Sequence, residues 1–186
     1  MTNNQDFRLD ETLFQSMIGK AFHKYKCDQF TYANTVTGVV GIYIDDKVYK
    51  LRNEQESINY FDTIDDIALW NIKEVSDNDI KSFLINNIQI ETPVNEIIKS
   101  ITLINETQNA VIENTNYELQ ITRAIIFHLT NKDIYFEKDN VSYSEEIEIK
   151  RGCDLINDFP KRNEYFFEQW NDGIKASIEY NFVTIK

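Results

Sequence analysis

Alternation of apolar and polar side chains is the feature that most constrains the fold of this chain. It is clearest near the C-terminus, where Ile174, Ala176, Ile178, Tyr180 and Phe182 are separated by single polar residues. Residues two apart on a strand share one face of a sheet, so such a segment offers one face to a core and the other to water. The pattern predicts an antiparallel sheet.

Further strands are predicted wherever short alternating segments lie between turns rich in Asn, Asp or Gly. They occupy residues 30–36, 39–51 (as a hairpin), 67–75, 97–105, 117–129, 134–138 and 145–150. Sheet is therefore expected through most of the chain.

Three- and four-residue spacing of apolar side chains predicts an N-terminal helix over residues 10–26. Shorter helices are expected at 63–67, at 77–86 after a Ser76 cap, and at 165–170. We therefore predict an α+β domain, mainly antiparallel sheet, with an N-terminal helix and short helices near the middle and the C-terminus.

Two similar hairpins lie at residues 39–51 and 124–137, each followed by a polar connection and a third strand. The chain of 186 residues is the size of one domain, with a possible pseudo-repeat of 30–90 and 117–186. One interpretation is a duplication giving two similar β-meanders around a cleft. The other is that amphipathic hairpins resemble each other because the same physics shapes them.

The acidic balance limits the partners of the protein. A formal charge of -12, from 31 acids against 19 bases, repels phosphate backbones, and no basic patch offsets it. Direct binding to nucleic acid is therefore not expected, while a basic protein partner would be attracted. We expect these acids to face outward, with the apolar side chains forming the core.

The N-terminus has neither a basic start nor an apolar run, and no segment is apolar enough to span a membrane. Cys27 and Cys153 are too few for a disulfide framework. Both features favour a cytoplasmic protein with free thiols. Abundant Ile, Asn and Lys suggest a bacterial or phage gene of high AT content.

Motifs for chemistry are scarce. Cys153 follows the basic pair Lys150–Arg151, a setting that favours the thiolate, and His128 is a candidate base for it. The alternative function is therefore a small hydrolase or transferase with a thiol and histidine site in the C-terminal half. His23 and Cys27 lie four apart but lack further ligands, so we predict no metal site and no cofactor.

The remaining candidates are aromatic residues placed beside acids. The segment 58–70 supplies a candidate binding set, namely Tyr60, Phe61, Asp62, Asp65 and Asp66. Aromatic anchors contribute interface energy while charge steers the partner. The sequence thus favours a non-enzymatic cytoplasmic acidic binding or regulatory protein with an inhibitor or immunity-like role as one version. A homodimer formed by the terminal strand is also predicted as an option.

Overall fold

A computed structural model of the protein describes residues 2–29, 34–82, 84, 88–160, 164–170 and 174–186. Two short α-helices occur in this part of the chain, α1 (Glu11–Gln15) and α2 (Glu164–Glu168). Its strands are β1 (Thr2–Phe7), β2 (Ala21–Asp28), β3 (Thr35–Thr37), β4 (Val39–Ile44), β5 (Lys47–Tyr60), β6 (Thr63–Val75), β7 (Gln89–Ile112), β8 (Thr115–Leu129), β9 (Asp133–Lys138), β10 (Glu146–Gly152) and β11 (Lys175–Ile185).

The predicted α+β class is wrong, because the fold is mostly antiparallel sheet, with 66% strand and 10% helix. The main error is the helix predicted over 10–26, of which only α1 is helical. α1 ends at Gln15 and is followed by turns, and Gly19, with a φ of 78°, leads the chain into β2. The pairing of β2 shifts register between Phe22 and Lys24. This irregularity buries Phe22 and Tyr25, three residues apart, and so imitates helical spacing.

The other predicted helices have different outcomes. Residues 63–67 form the start of β6, because the tight turn before them returns the chain as the partner of β5. In the segment 77–86 the described residues form only a 3₁₀ turn at Asp77–Asp79, while Phe83 lies outside the described residues. The helix predicted over 165–170 is confirmed as α2.

Most predicted strands are confirmed, including the alternating C-terminal strand, which is β11. The predicted strand over 30–36 lies largely outside the described residues, although β3 overlaps its end. Both predicted hairpins form, as β4–β5 and β8–β9. Their origin by duplication stays a prediction, as does a homodimer through β11.

The strands form one sheet in the order β3-β10-β9-β8-β7-β2-β4-β5-β6, with β1 also pairing with β8 and β11 with β7. Only Gly38 separates β3 from β4. Strand β3 at one end of the sheet order is therefore covalently close to β4 near the other end. The Gly38 amide donates to Glu145 O and its carbonyl accepts from Asn53 N, both at 2.9 Å. The sheet therefore curls so that β3, at one end, lies next to β4 and β5 near the other.

The curled sheet has an apolar interior and a second, outer packing face. β7 and β8 supply both: Leu103 and Phe127 enter the interior cluster, whereas Ile104 and Ala124 pack on the outer face. Farther along the same hairpin, Ala110 belongs to another outer cluster, which α2 and the end of the β5–β6 hairpin cover. In the described part of the chain, neither helix has the length or apolar content needed to cross a membrane.

Candidate functional site

The candidate binding residues predicted from sequence lie at the far end of the β5–β6 hairpin. Tyr60 and Phe61 are buried, whereas Asp62, Asp65 and Asp66 are exposed. The two aromatic residues therefore fix the hairpin to the body of the protein, and only the three aspartates can meet a partner from solution. Their role in binding stays a prediction.

The turn itself is held in an uncommon conformation. Phe61 and Asp62 both have positive φ angles, 50° and 74°, as a two-residue turn between right-twisted strands requires. A bulky residue rarely adopts this region, because its Cβ approaches the following carbonyl. The Phe61 ring packs against Tyr60 at 4.7 Å and Trp170 at 5.1 Å between ring centroids. Packing against α2 and its following residues thus holds the turn in place.

We call the exposed end of this hairpin the acidic tip, comprising Asp62, Ile64, Asp65 and Asp66. Ile64 is 77% exposed, the largest value among the large apolar side chains that the structure describes. Strand alternation puts Ile64 and Asp66 on one face of the hairpin and Asp65 on the other. The Ser57 hydroxyl donates to Asp66, which fixes that carboxylate.

Two tyrosines lie beside the tip. Tyr143 is 54% exposed, and its ring meets the ring of Tyr165 edge-on at 6.2 Å. Burial raises the pKa of Tyr165, and Tyr143 and the negative charge of Asp65 raise it further. Asp65 therefore lies near half-buried Tyr165, and Tyr143 is the more accessible ring of the pair.

A second cluster of charge is buried on the outer face of β7 and β8. Glu106 is fully buried, and Arg123 and Glu137 are almost so. Arg123 Nε lies 3.4 Å from Glu106 Oε2, and its Nη2 lies 4.0 Å from Glu137 Oε1. We call these three residues the buried charge cluster. Glu106 and Glu137 are exceptions to the expectation that the acids face outward.

The cluster is incompletely hydrogen-bonded. Arg123 donates to Asp139 O and, at 2.7 Å, to Asn140 Oδ1, while the Tyr135 hydroxyl donates to Glu137 Oε2 at 2.6 Å. Glu106 Oε2 and Arg123 Nε nevertheless make no hydrogen bond in the described chain. Burial raises the pKa of Glu137, against the opposing effects of Tyr135 and Arg123. Such strained electrostatics are characteristic of sites more than of simple cores.

Next to this cluster lies a cavity of about 200 Å³. Its wall includes Thr35, Glu137, Lys138, Asp139, Glu146 and Glu148. Lys138 is 2% exposed, and its Nζ donates to Ser142 O at 3.3 Å. Burial, together with the positive charge of Arg123, lowers the pKa of Lys138 to about 7. Lys138 thus borders the cavity, while its amine is buried and bonded to Ser142 O.

Sequence reasoning missed these buried charges, although one signal was present. Ile134, Phe136 and Lys138 alternate along β9, and the first two face the apolar interior. A lysine in the third position of such a series marks a buried amine. Glu106 and Arg123 gave a weaker signal, because the register of β7 and β8 shifts beside them.

The predicted thiol and histidine pair is arranged differently from a nucleophile and its base. His128 Nδ1 lies 3.0 Å from Asp133 Oδ1, and its Nε2 lies 2.9 Å from Thr102 Oγ1. Cys153 is exposed, and its Sγ contacts Asn131 O at 3.7 Å. Both ring nitrogens of His128 are thus engaged by groups other than the thiol. A catalytic role for the pair stays a prediction.

The Thr102, His128 and Asp133 side chains form a chain of contacts like that of a hydroxyl nucleophile with its base and orienting acid. Thr102 is only 1% exposed, and its hydroxyl also lies 3.1 Å from that of Thr184. A hydroxyl closed off in this way cannot meet a substrate. These contacts instead join β7, β8, β9 and β11.

Metal-ligand geometry is lacking in the described residues, where no three His, Cys, Asp or Glu side chains come together suitably. His23 is exposed, whereas Cys27 is buried on the same strand. Burial raises the pKa of the Cys27 thiol to about 12, which disfavours the thiolate that metal binding requires.

Comparison with known proteins supplies no relative. No protein-family model matches the chain, and neither the curated proteins nor the solved structures include a significant match.

Proposed function

We propose that the protein is a cytoplasmic, non-enzymatic acidic binding protein that engages a basic protein partner through the acidic tip. An inhibitor or immunity-like role is a specific version of this proposal. One observation carries it: Ile64 is 77% exposed among three aspartates, at the end of a hairpin that is anchored by buried rings. Isolated exposed side chains are common, but this one combines exposure, surrounding charge and a fixed position.

The chemistry of the tip suits a basic partner. Apolar and aromatic anchors that become buried contribute most of the energy of an interface, and exposed Ile64 is available for that purpose. Charges around such anchors mainly raise the association rate and select the partner. Asp62, Asp65 and Asp66 would therefore steer a surface rich in Lys or Arg toward the tip.

Rigidity of the tip supports the same proposal. A loop that is ordered only on binding loses conformational entropy, which weakens the complex. Here Phe61 holds the turn against α2, and Thr63 Oγ1 donates to Tyr60 O at 2.9 Å. These contacts favour one conformation of the tip before the partner arrives. A nucleic acid would be repelled by the same aspartates.

The experiment is capture of the partner from a lysate by immobilised protein at low salt, followed by affinity measurement with the identified partner. Ile64→Ser should weaken binding by tenfold or more, because it removes the apolar anchor. Asp65→Asn/Asp66→Asn should slow association, and the difference from the unmodified protein should shrink as salt is added.

Matched controls alter the same chemistry elsewhere on the surface. Leu84→Ser removes another exposed apolar side chain, and Asp46→Asn/Glu179→Gln removes two charges away from the tip. Both controls should bind as the unmodified protein does. Equal binding by the tip variants and the unmodified protein would contradict the proposal, as would equal losses in the charge control and the charge variant.

A further inference from the structure

Strand β11 has a free edge that the proposed function leaves unused. It pairs with β7 in an unbroken register, from Lys175 with Val111 to Ile185 with Ile101. Among the described residues no strand pairs with its other side, and no other backbone hydrogen bond reaches it there. Such an edge presents a row of backbone donors and acceptors to which a further strand can bind.

The other edges of the sheet are shorter or partly covered. β3 has three residues and β1 has six. β6 is longer, but the Ala68 amide donates to Ser142 O at 2.9 Å, so the segment after β9 covers part of that edge. β11 has neither a proline nor a bulge, two devices by which proteins protect an edge strand. It therefore has the longest continuous open edge in the described part of the chain.

The hydrogen bonds of β7 show which of its residues point toward β11. The Ile98 amide donates to Lys20 O and its carbonyl accepts from Gly19 N, both at 2.9 Å, on the side of β7 away from β8. Its side chain lies in the interior. For L-residues of one strand, the face taken by the side chain fixes the side toward which the backbone groups point. Leu103 also lies in the interior, so its backbone groups point toward β11.

The residues of β11 that point outward follow from this register. Val183 is the partner of Leu103, so its backbone groups point back to β7. Bonding direction alternates along a strand, so the residues next to Val183, and every second residue from there, point toward the free edge. They are Ala176, Ile178, Tyr180, Phe182 and Thr184. Their side chains share the outer face, where the rings of Tyr180 and Phe182 both contact Phe159.

We propose that the protein forms a homodimer in which two β11 strands pair antiparallel, through their free edges, across a two-fold axis at Tyr180. This residue is the midpoint of β11, so every residue of the strand finds a partner. Each outward-pointing pair exchanges two hydrogen bonds. These pairs are Tyr180 with Tyr180 of the second copy, Ile178 with Phe182, and Ala176 with Thr184.

The side chains along this register are complementary. Phe182 is 45% exposed in the single chain, and Ile178 of the second copy would cover it. An aromatic residue opposite a β-branched one is a favourable cross-strand pair. β11 carries one acid, Glu179, and one base, Lys175, so the edge is neutral in a chain of net charge -12. Two copies therefore meet where their like charge is small, while repulsion between the whole chains weakens the pairing.

Analytical ultracentrifugation of the unmodified protein tests the dimer. A series from about 1 μM to about 500 μM suits an interface made by one strand edge. The average mass should approach that of two chains at the upper end, and added NaCl should shift dimer formation to lower concentration, because it screens the repulsion between the chains. A protein that stays monomeric throughout would overturn the proposal, as would a dimer that dissociates when salt is added.

A pair of variants locates the contact. Phe182→Lys removes the apolar contact and puts a charge on the edge, so it should weaken dimer formation at least tenfold. Leu84→Lys changes another exposed apolar side chain, and the net charge, in the same way, and it should dimerise as the unmodified protein does. Equal dimer formation by the two variants would overturn β11 as the interface.

Oxidative cross-linking tests the register. In a Cys153→Ser background, Glu179→Cys/Asn181→Cys puts each new cysteine opposite a cysteine of the second copy, because residues 179 and 181 pair across the axis. Ser177→Cys/Asn181→Cys is the control, in which no cysteine has that partner. The first variant should form the disulfide-linked dimer at least fivefold faster. Equal rates would overturn the axis at Tyr180. None of these variants alters the acidic tip, so the dimer and the proposed function can fail separately.

Discussion

Negative charge is placed in two different ways in this molecule. At the acidic tip, Asp62, Asp65 and Asp66 are exposed, and water screens them from one another. In the buried charge cluster, Glu106 and Glu137 are removed from water and depend on Arg123 for compensation. The net charge of -12 does not distinguish exposed acids from buried ones.

Exposed acids and buried charges have different effects on the protein. Exposed carboxylates keep their hydration, so they attract a partner without much effect on folding. Buried charges must be compensated, and burial itself raises the pKa of Glu137 and lowers that of Lys138. The exposed region therefore suits recognition of another protein, while the buried region affects stability and its dependence on pH.

The largest effect is expected from Arg123→Met in the buried charge cluster. Without the guanidinium, Glu106 is a buried carboxylate without its cation, so the free energy of unfolding should fall by about 3–5 kcal/mol. Adding Glu106→Leu should recover more than half of this loss, because it removes the stranded charge. Chemical denaturation measures both variants. A loss below about 1 kcal/mol for the single variant would show that the cluster is not electrostatically coupled.

A smaller effect is expected from truncating the ring that anchors the tip. Phe61→Ala should cost about 3 kcal/mol of unfolding free energy, because the buried ring contacts are lost. Phe61→Gly should be more stable than Phe61→Ala by roughly 1 kcal/mol, since glycine tolerates the positive φ at this position. If Phe61→Ala were more stable than Phe61→Gly, the positive φ at residue 61 would not be a source of strain. Thermal or chemical denaturation of the two variants measures this difference.

The pH dependence of stability should depend on Lys138. Its pKa is about 7 in the folded protein and about 10.4 in the unfolded chain, so between these values the unfolded chain binds more protons. The unfolding free energy therefore rises with pH in this window, by about 2 kcal/mol between pH 7 and 9 from this residue. Lys138→Met should lack that contribution. Parallel pH curves for the two proteins would exclude the lowered pKa.

The smallest effect on stability is expected at the acidic tip. Ile64→Ser and Asp65→Asn/Asp66→Asn should each change the unfolding free energy by no more than about 0.5 kcal/mol, because these side chains are exposed. Their effect on partner binding should be far larger. A stability loss above about 2 kcal/mol would mean that the tip serves the fold.

Local alternation was sufficient to predict much of the sheet, and it is clearest in β10 and through most of β11. It failed at β2, where the shift in register between Phe22 and Lys24 changes the phase of the pattern. It also could not reveal how far hairpins extend. Glu54 and Gln55 lie in the polar segment 52–57, yet they belong to β5 because the apolar partner β6 lies alongside.

The candidate sites were less predictable than the strands. The sequence placed aromatic residues beside acids in the segment 58–70, but only the folded chain divides them into buried anchors and an exposed tip. Glu106, Arg123 and Glu137 are distant in sequence. They form the buried charge cluster only because β7, β8 and β9 come together in the sheet. Their contacts follow from strand pairing, which local spacing does not encode.

The most direct test of the account is hydrogen–deuterium exchange of the protein with and without its captured partner. We expect protection concentrated in peptides covering residues 58–66 and around Tyr143, with little change in β9 and β10. Protection confined to other surfaces, with exchange at the tip unchanged, would contradict the assignment of the acidic tip as the binding surface.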